Sequence, residues 1–333
     1  MKNKNFNQLP PFYKSMQLKL EGYNIQNLAV ILIILEIFIV VPELLAGPAE
    51  DQLPSKARQS MLNQQILNFE LGNNTQLELR RVPTGRFLFS GPEDESGQID
   101  EGRSPREVVV NDQFWIGKHE VTRRQMLVVF GRYDPLIHNQ ESDLNRPISF
   151  VSWVEAKNFC TILTKQERVT GRLKKDYEFR LPTEIEWEYA CRAGKSKTFG
   201  IGDGQNLNSN LANFDGAYPH GESVQGPTIG RTVMVGTYEG NEWDIHDMHG
   251  NVWEWCLDSF IDNSLIEQIA NSSGLKITTV IRGGGWTSSG RFCQASSRII
   301  CLPTLKRPNL GFRVVIGHAY RNNYLPPNHN TVK

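Results

Sequence analysis

Two sets of residues in this 333-residue chain have the types and spacing for metal or thiol chemistry. In the first set, Asp247 and Glu254 flank a turn that contains Gly250, so the turn offers only oxygen ligands. A hard, adaptable cation such as Ca²⁺ prefers those ligands, although Asn and Asp side chains also stabilise turns without an ion. The second set is the cysteines, which form no C-x-x-C pair or zinc-binding pattern: Cys160, Cys191, Cys256, Cys293 and Cys301.

Three capping boxes predict where helices begin. They are Thr122-x-x-Gln125, Ser152-x-x-Glu155 and Thr183-x-x-Glu186. Each box is followed by apolar residues at steps of three and four, the spacing that forms one apolar face of a helix. Cys160 and Cys191 fall on these faces, so we predict that both thiols are core residues and not reactive ones.

Short β-like segments and one long loop fill much of the remaining sequence. The segments cover residues 77–82, 86–90, 108–110 and 114–117 and are separated by Gly, Pro and Asn. Residues 195–250 are rich in Gly, Asn, Asp and Pro, with weak apolar periodicity. A loop of that length inside a compact domain needs a source of order, and a bound metal ion is one candidate. The predicted fold class is α+β, with three main helices, short strands and much ordered loop.

The N-terminal residues differ in composition from the rest of the chain. Residues 28–41 are apolar except for Glu36, with lysines before them and acidic residues after them. Basic residues before an apolar segment and acidic residues after it predict that the N-terminus stays on the cytoplasmic side of the membrane and that the remainder is exported. The exported part is then secreted, periplasmic or tethered to the membrane. The predicted organisation is a signal peptide or membrane anchor (1–47), a linker with one short helix at 61–69 (48–76), a folded domain (77–317) and a polar tail (318–333).

The charge balance argues against nucleic acid as a partner. Lys plus Arg and Asp plus Glu each number 36, so the formal net charge is zero. A neutral chain has no general electrostatic attraction for a polyanion. We therefore expect partners to bind at a shaped site, and the membrane to be contacted only through the N-terminal segment.

Five sequence blocks resemble the formylglycine-generating enzyme family, also called the sulfatase-modifying factors. The blocks are 114–122, 146–153, 180–190, 250–255 and 282–286, the last of which closes with Leu310-Gly-Phe-Arg313. The resemblance implies a formylglycine-generating-enzyme-like variant of the C-type lectin fold. It also implies an activity, the oxygen-dependent conversion of a cysteine in a sulfatase Cys-x-Pro-x-Arg segment to formylglycine. In the family, two active-site cysteines hold Cu(I), an ion that soft thiolates suit.

The chain departs from the family at this copper site. Alignment of residues 282–293 places the second family cysteine at Cys293, the first at Ser288, and a family serine at Gly285. A hydroxyl is a hard ligand that does not replace a thiolate on Cu(I). We therefore predict an exported family member without the copper-dependent oxidase activity, in which Cys293 is a small buried residue. The alternative is an active oxidase that acts on the Cys-x-Pro-x-Arg segment through Cys293.

The resemblance also implies calcium ligands. For one calcium site the matching ligands are the side chains of Asp247 and Glu254 and the main-chain carbonyls of Gly250 and Val252. Asn213 and Phe214 match half of a second site. The predicted cofactor is therefore structural Ca²⁺, and copper is not expected.

Two further functions stay open from the resemblance. One is an enzyme of the same fold with iron- or thiol-dependent chemistry. The other is a lectin-like module, because lectin-like relatives display variable residues in this region as a recognition surface. In this chain the surface would bind a protein or peptide partner through these residues: Trp286, Ser288, Arg291, Phe292 and Gln294.

Overall fold

The computed structural model describes residues 64–90, 105–132, 141–260 and 278–319. The predicted signal peptide or anchor (1–47) and most of the polar tail lie outside these residues. Within them, no helix has both the length and the apolar content needed to cross a membrane.

A five-stranded antiparallel sheet forms one part of the domain, in the order β1-β2-β5-β11-β6. Its strands are β1 (Ile66–Gly72), β2 (Thr75–Val82), β5 (Phe114–Gly117), β6 (Tyr177–Arg180) and β11 (Val315–His318). The helix predicted at 61–69 is wrong where the structure describes that segment. Leu67 and Phe69 are buried and alternate with exposed neighbours, a period of two that matches a strand, and they pair with β2. The sheet therefore begins inside the predicted linker.

A second sheet has the order β10-β7-β8-β9, with β10 parallel to β7 and the other pairs antiparallel. Its strands are β7 (Trp253–Phe260), β8 (Thr278–Arg282), β9 (Arg298–Cys301) and β10 (Leu310–Gly311). The strands β3 (Gly85–Phe89) and β4 (Arg106–Val110) pair with each other. All four β-like segments predicted from the sequence overlap observed strands.

The three predicted helices are confirmed, each with both hydrogen bonds of its capping box. They are α1 (Arg123–Val129), α3 (Trp153–Val169) and α4 (Glu184–Arg192), and a single helical turn, α2, covers Glu141–Leu144. Cys160 and Cys191 are buried on their helices, as predicted. Burial raises the pKa of both thiols, which keeps them protonated.

The long loop is also confirmed, because no helix or strand lies between Arg192 and Trp253, all of which is described. Side chains take the place of regular hydrogen bonding there. The Asn241 carboxamide, for example, accepts from the amides of Trp243 and Ile245 and donates to the carbonyl of Ala190. Buried amides satisfied in this way allow irregular backbone to be ordered. Four residues of the loop also form a small apolar cluster with Cys293: Phe199, Leu207, Ala212 and Phe214.

Candidate functional site

An open groove of about 460 Å³ lies where the 3₁₀ helix Gly290–Cys293 approaches the ends of β7 and β10. It combines aromatic and apolar side chains with hydroxyl, carboxamide and charged groups. The lining residues are Asp215, Tyr218, Trp253, Thr287, Ser288, Ser289, Phe292, Ile299, Arg307 and Asn309. An apolar concavity with a few placed polar groups is the usual form of a binding site.

Hydrogen bonds hold the groove's polar groups in place. The side-chain amide of Asn309 donates to the hydroxyl of Thr287 at 2.6 Å. The main-chain carbonyl of Asn309 accepts from the main-chain amide of Trp253 at 2.8 Å. Asp215 accepts from the hydroxyl of Thr228 at 2.6 Å. The groove therefore has a preformed polar edge, which lowers the ordering cost of binding a ligand.

Ser288 lines the groove but its hydroxyl is committed to a turn. The amide of Gly285 donates to Ser288 Oγ at 3.0 Å, and the amide of Ser288 donates to the carbonyl of Gly285 at 2.8 Å. The Ser288 carbonyl also accepts from the amide of Asp215 at 2.9 Å. These bonds fix the serine between two loops.

Cys293 does not line the groove, although its neighbour Phe292 does. The side chain is fully buried, and burial raises the pKa of the thiol well above its ordinary value. Gly284 packs against Sγ so closely that a Cβ at that position would collide with it. The thiol is therefore neutral and covered, in line with the prediction that Cys293 is a small buried residue.

Only some of the other residues predicted to form a recognition surface line the groove. Phe292 lines the groove together with Ser288. Trp286 is half-buried and Arg291 is exposed, but neither lines the groove, and Gln294 is fully buried beside the ring of His220. Asn309, Trp253 and Arg307 line the groove and were missed because they come from distant segments.

Buried carboxylates surround the guanidinium of Arg313. Both oxygens of Glu254 accept from Arg313 at 2.6 Å, and Glu254 Oε2 also accepts from the indole of Trp187 at 2.7 Å. Asp247 accepts from the amide of Gly236, and burial raises its pKa to about 6. Burial and the neighbouring Asp247 and Glu254 raise the pKa of Glu120 as well. The buried Glu120 and Glu254 and the half-buried Asp247 thus all lie in the field of the Arg313 guanidinium.

A hydrogen-bond chain joins the two predicted calcium segments. Glu120 accepts from the carboxamide of Asn251 at 2.6 Å and from the amide of Val252 at 3.0 Å. Asn251 in turn accepts from the carboxamide of Asn213 at 3.1 Å, and its amide donates to the Asn213 carbonyl at 2.7 Å. Sequence reasoning missed Glu120, although it lies in the block 114–122. Phe214, the residue after Asn213, belongs to the small apolar cluster that includes Cys293.

The oxygen atoms in this region suit a hard cation only in part. Among the described residues, no three or more His, Cys, Asp or Glu side chains group as a metal site. Glu254 is also engaged by Arg313 and Trp187. Asp247 adjoins a cavity of about 10 Å³, and the buried Asn213 Oδ1 has no hydrogen-bond partner. Asp247 with neutral oxygens is a donor set that Ca²⁺ accepts.

Comparison with known proteins places residues 70–318 in a family model described as a sulfatase-modifying factor enzyme 1-like domain. The formylglycine-generating enzyme of Mus musculus is 30% identical over 182 residues, which cover 52% of this chain and 45% of that protein. The inactive C-alpha-formylglycine-generating enzyme 2 of Bos taurus is 28% identical over 181 residues, 52% of this chain and 51% of that protein. The chain thus spans about half the length of these two relatives.

A third relative is the chaperone protein LppX of Paenibacillus barcinonensis. It is 29% identical over 226 residues, which cover 58% of this chain and 76% of that protein.

Two solved structures share the fold. Treponema denticola variable protein 1 has a TM-score of 0.57 at 21% identity and covers 75% of this chain and 98% of its own. PvdO from Pseudomonas aeruginosa has a TM-score of 0.56 at 22% identity. The match covers 76% of this chain and 98% of PvdO. The predicted α+β fold, a formylglycine-generating-enzyme-like variant of the C-type lectin fold, is confirmed.

Proposed function

Because this chain belongs to the family of sulfatase-modifying factor enzyme 1-like domains, we propose that it is an exported, calcium-stabilised family member that binds polypeptide without copper-dependent oxidation. The observation that carries this proposal is the thiol content of the groove. Ser288 lines the groove at the position of the first family cysteine, and its hydroxyl accepts from the amide of Gly285, whereas the Cys293 thiol is protonated and covered. Cu(I) needs soft thiolate ligands, and this groove presents none among its lining residues.

A role in polypeptide binding is supported by the lining of the groove. Trp253, Phe292 and Tyr218 supply aromatic surface, and the hydrogen-bonded pair of Asn309 and Thr287 adds polar groups that can meet peptide amides and carbonyls. Fold alone does not determine function, so these residues carry the argument. The relatives include formylglycine-generating enzymes as well as a chaperone and an inactive enzyme.

Purified full-length protein given Cu(I), oxygen and a Cys-x-Pro-x-Arg peptide is expected to form no aldehyde detectable by mass spectrometry. It is also expected to lose its copper on gel filtration, because one buried neutral thiol is a poor ligand. Ser288→Cys is the matched variant and is expected to retain more Cu(I), since Ser288 and Cys293 contact the neighbouring residues Gly285 and Gly284. Aldehyde that disappears with Cys293→Ala would instead establish the oxidase.

The calcium part of the proposal is supported by the three acids near Arg313, of which Glu120 and Glu254 are buried, and by the buried Asn213 Oδ1, which has no hydrogen-bond partner. Free Ca²⁺ at 100 times its Kd would stabilise the fold by about 2.7 kcal/mol. We therefore expect a chelator to lower the melting temperature of the parent protein, and Asp247→Ala to be less stable in Ca²⁺ and insensitive to the chelator. Asp203→Ala, at an exposed turn in the same loop, is expected to keep the full response. A parent melting curve that is unchanged by chelator contradicts the calcium site.

Export is proposed from the charge order around residues 28–41 alone. Cell fractionation of the full chain, beside a variant that lacks residues 1–47, tests it. The full chain is expected outside the cytoplasm and the shortened chain inside it. Equal distribution of the two would contradict export.

A further inference from the structure

Phe150, next to the groove, has a backbone conformation that its side chain disfavours. Its φ is +60°, in the left-handed region, where the Cβ of an L-residue crowds the following carbonyl oxygen. Most other non-glycine residues with positive φ in the described ranges are Asn or Asp, which tolerate it. An aromatic residue at this position therefore carries strain that an asparagine would relieve.

Burial of the Phe150 side chain contributes little stability to offset that strain. It is 62% exposed, and Val154, in the first turn of α3, is 49% exposed. Neither burial nor a side-chain hydrogen bond offsets the backbone cost. Strained residues that the surrounding structure holds in place are frequent at binding sites.

Main-chain hydrogen bonds connect this surface to the groove. The amide of Phe150 donates to the carbonyl of Arg307 at 2.9 Å, and the amide of Trp153 donates to the carbonyl of Pro303 at 3.0 Å. Arg307 lines the groove. The apolar side chains and the groove are therefore held next to each other by the same loop.

Two basic residues, Lys306 and Arg307, lie in the loop beside Phe150, and the acidic Asp215 lines another part of the groove. Lys306 is paired with Glu155 at 2.7 Å. The exposed Arg307 guanidinium, by contrast, has no carboxylate partner among the described residues. An unpaired arginine beside exposed apolar side chains is complementary to a segment that presents a carboxylate next to a large apolar residue.

We propose that Phe150, Val154 and Arg307 form an anchor that extends the groove for a polypeptide segment of a partner protein, with an acidic residue beside a large apolar one. The proposal rests on the polypeptide-binding function proposed above and specifies which segments are bound. Arg307 would pair with the acidic residue, while Phe150 and Val154 would cover the apolar one.

The test is selection of a phage-displayed random 12-residue library on immobilised full-length protein. The parent protein is expected to enrich peptides that carry acidic and large apolar residues. Phe150→Asn is expected to lose the apolar preference and Arg307→Gln the acidic one. Each change is expected to weaken binding of the best synthetic peptide at least about tenfold, as loss of an interface anchor does. Phe150→Asn is also expected to keep or raise the melting temperature, because Asn tolerates the left-handed conformation.

Val169→Asn is the matched control, since Val169 is 52% exposed at the opposite end of α3. It is expected to leave peptide binding unchanged. If Phe292→Ala in the groove weakens binding but Phe150→Asn does not, the anchor is overturned while the groove function stands. If the parent protein enriches no peptide, both are overturned. A dimer in sedimentation that depends on Phe150 would replace the partner segment with a second copy of this chain.

Discussion

Arg313→Met is expected to lower the free energy of unfolding by about 3–5 kcal/mol, the cost of leaving a buried charge without its partner. Arg313 is fully buried and pairs with both oxygens of Glu254. It also donates to the carbonyls of Gly117 and His246 at 2.9 Å, which ties β5 and the long loop to β7. Urea denaturation of the parent and the variant measures the difference.

The stability that Arg313→Met loses is expected to increase as the pH rises. The folded pKa of Asp247 is about 6, above its ordinary value of 3.8, and Arg313 lowers it from a still higher value. An acid whose folded pKa is raised keeps its proton in the folded state at a pH where the unfolded chain has lost it. Its contribution to stability therefore falls as pH rises from about 4 through the folded pKa. Without Arg313 this fall continues above pH 6, so in chelator the variant should lose more stability at pH 8 than at pH 5.

Arg86→Met is the matched control, because Arg86 is 69% exposed and its pairing with Glu107 is long, at 3.9 Å. We expect a change within about 0.5 kcal/mol and no new pH dependence. The double variant Arg313→Met with Glu254→Gln should recover part of the loss, since it removes both charges of the pair. A cost for Arg313→Met as small as that for Arg86→Met would contradict the role of Arg313 as the shared cation.

Gly250→Ala is the second large change, with an expected loss of about 2–5 kcal/mol. The φ of Gly250 is +101°, a conformation that costs an L-residue about 1–2 kcal/mol. A Cβ there would also collide with the main-chain carbonyl oxygen of Asn213, and overpacking of this kind costs about 1–3 kcal/mol more. The collision pushes apart the two segments that the Asn213–Asn251 hydrogen bonds join. Chemical denaturation measures the loss, and the calcium response should weaken with it.

Gly230→Ala separates the two contributions. Gly230 also has positive φ, +71°, but a Cβ there meets no atom within 4 Å. It is expected to cost only the conformational part, about 1–2 kcal/mol. Equal losses for the two variants would show that the contact between Gly250 and Asn213 does not matter.

Local features of the fold could be predicted because their physical cause lies within a few residues. A capping box satisfies helix amides with side chains three positions away, so Thr122, Ser152 and Thr183 mark helix starts without any tertiary contact. The segment 66–69 shows the limit of such reasoning. Its apolar residues fit a helical spacing in part, and pairing with β2 selected the strand.

Contacts between distant residues could not be predicted from spacing. Glu120 and Asn251 are 131 residues apart, and Glu254 and Arg313 are 59 apart. The sequence blocks contain all four residues, and the order of the blocks indicates the family. Which acid meets which cation depends on where the chain returns, and burial then shifts the pKa of Asp247 and Glu120.

By itself, the sequence determined the family, the helix starts, the long loop and the serine at position 288, because each depends on residue identity or local order. Only the tertiary structure decided that Ser288 lines the groove while Cys293 is covered. Only the fold, likewise, set Phe150 beside Arg307 and gathered three acids around Arg313. The physical reason is that exposure, electrostatic environment and hydrogen-bond partners are properties of packed neighbours, and those neighbours come from separate parts of the chain.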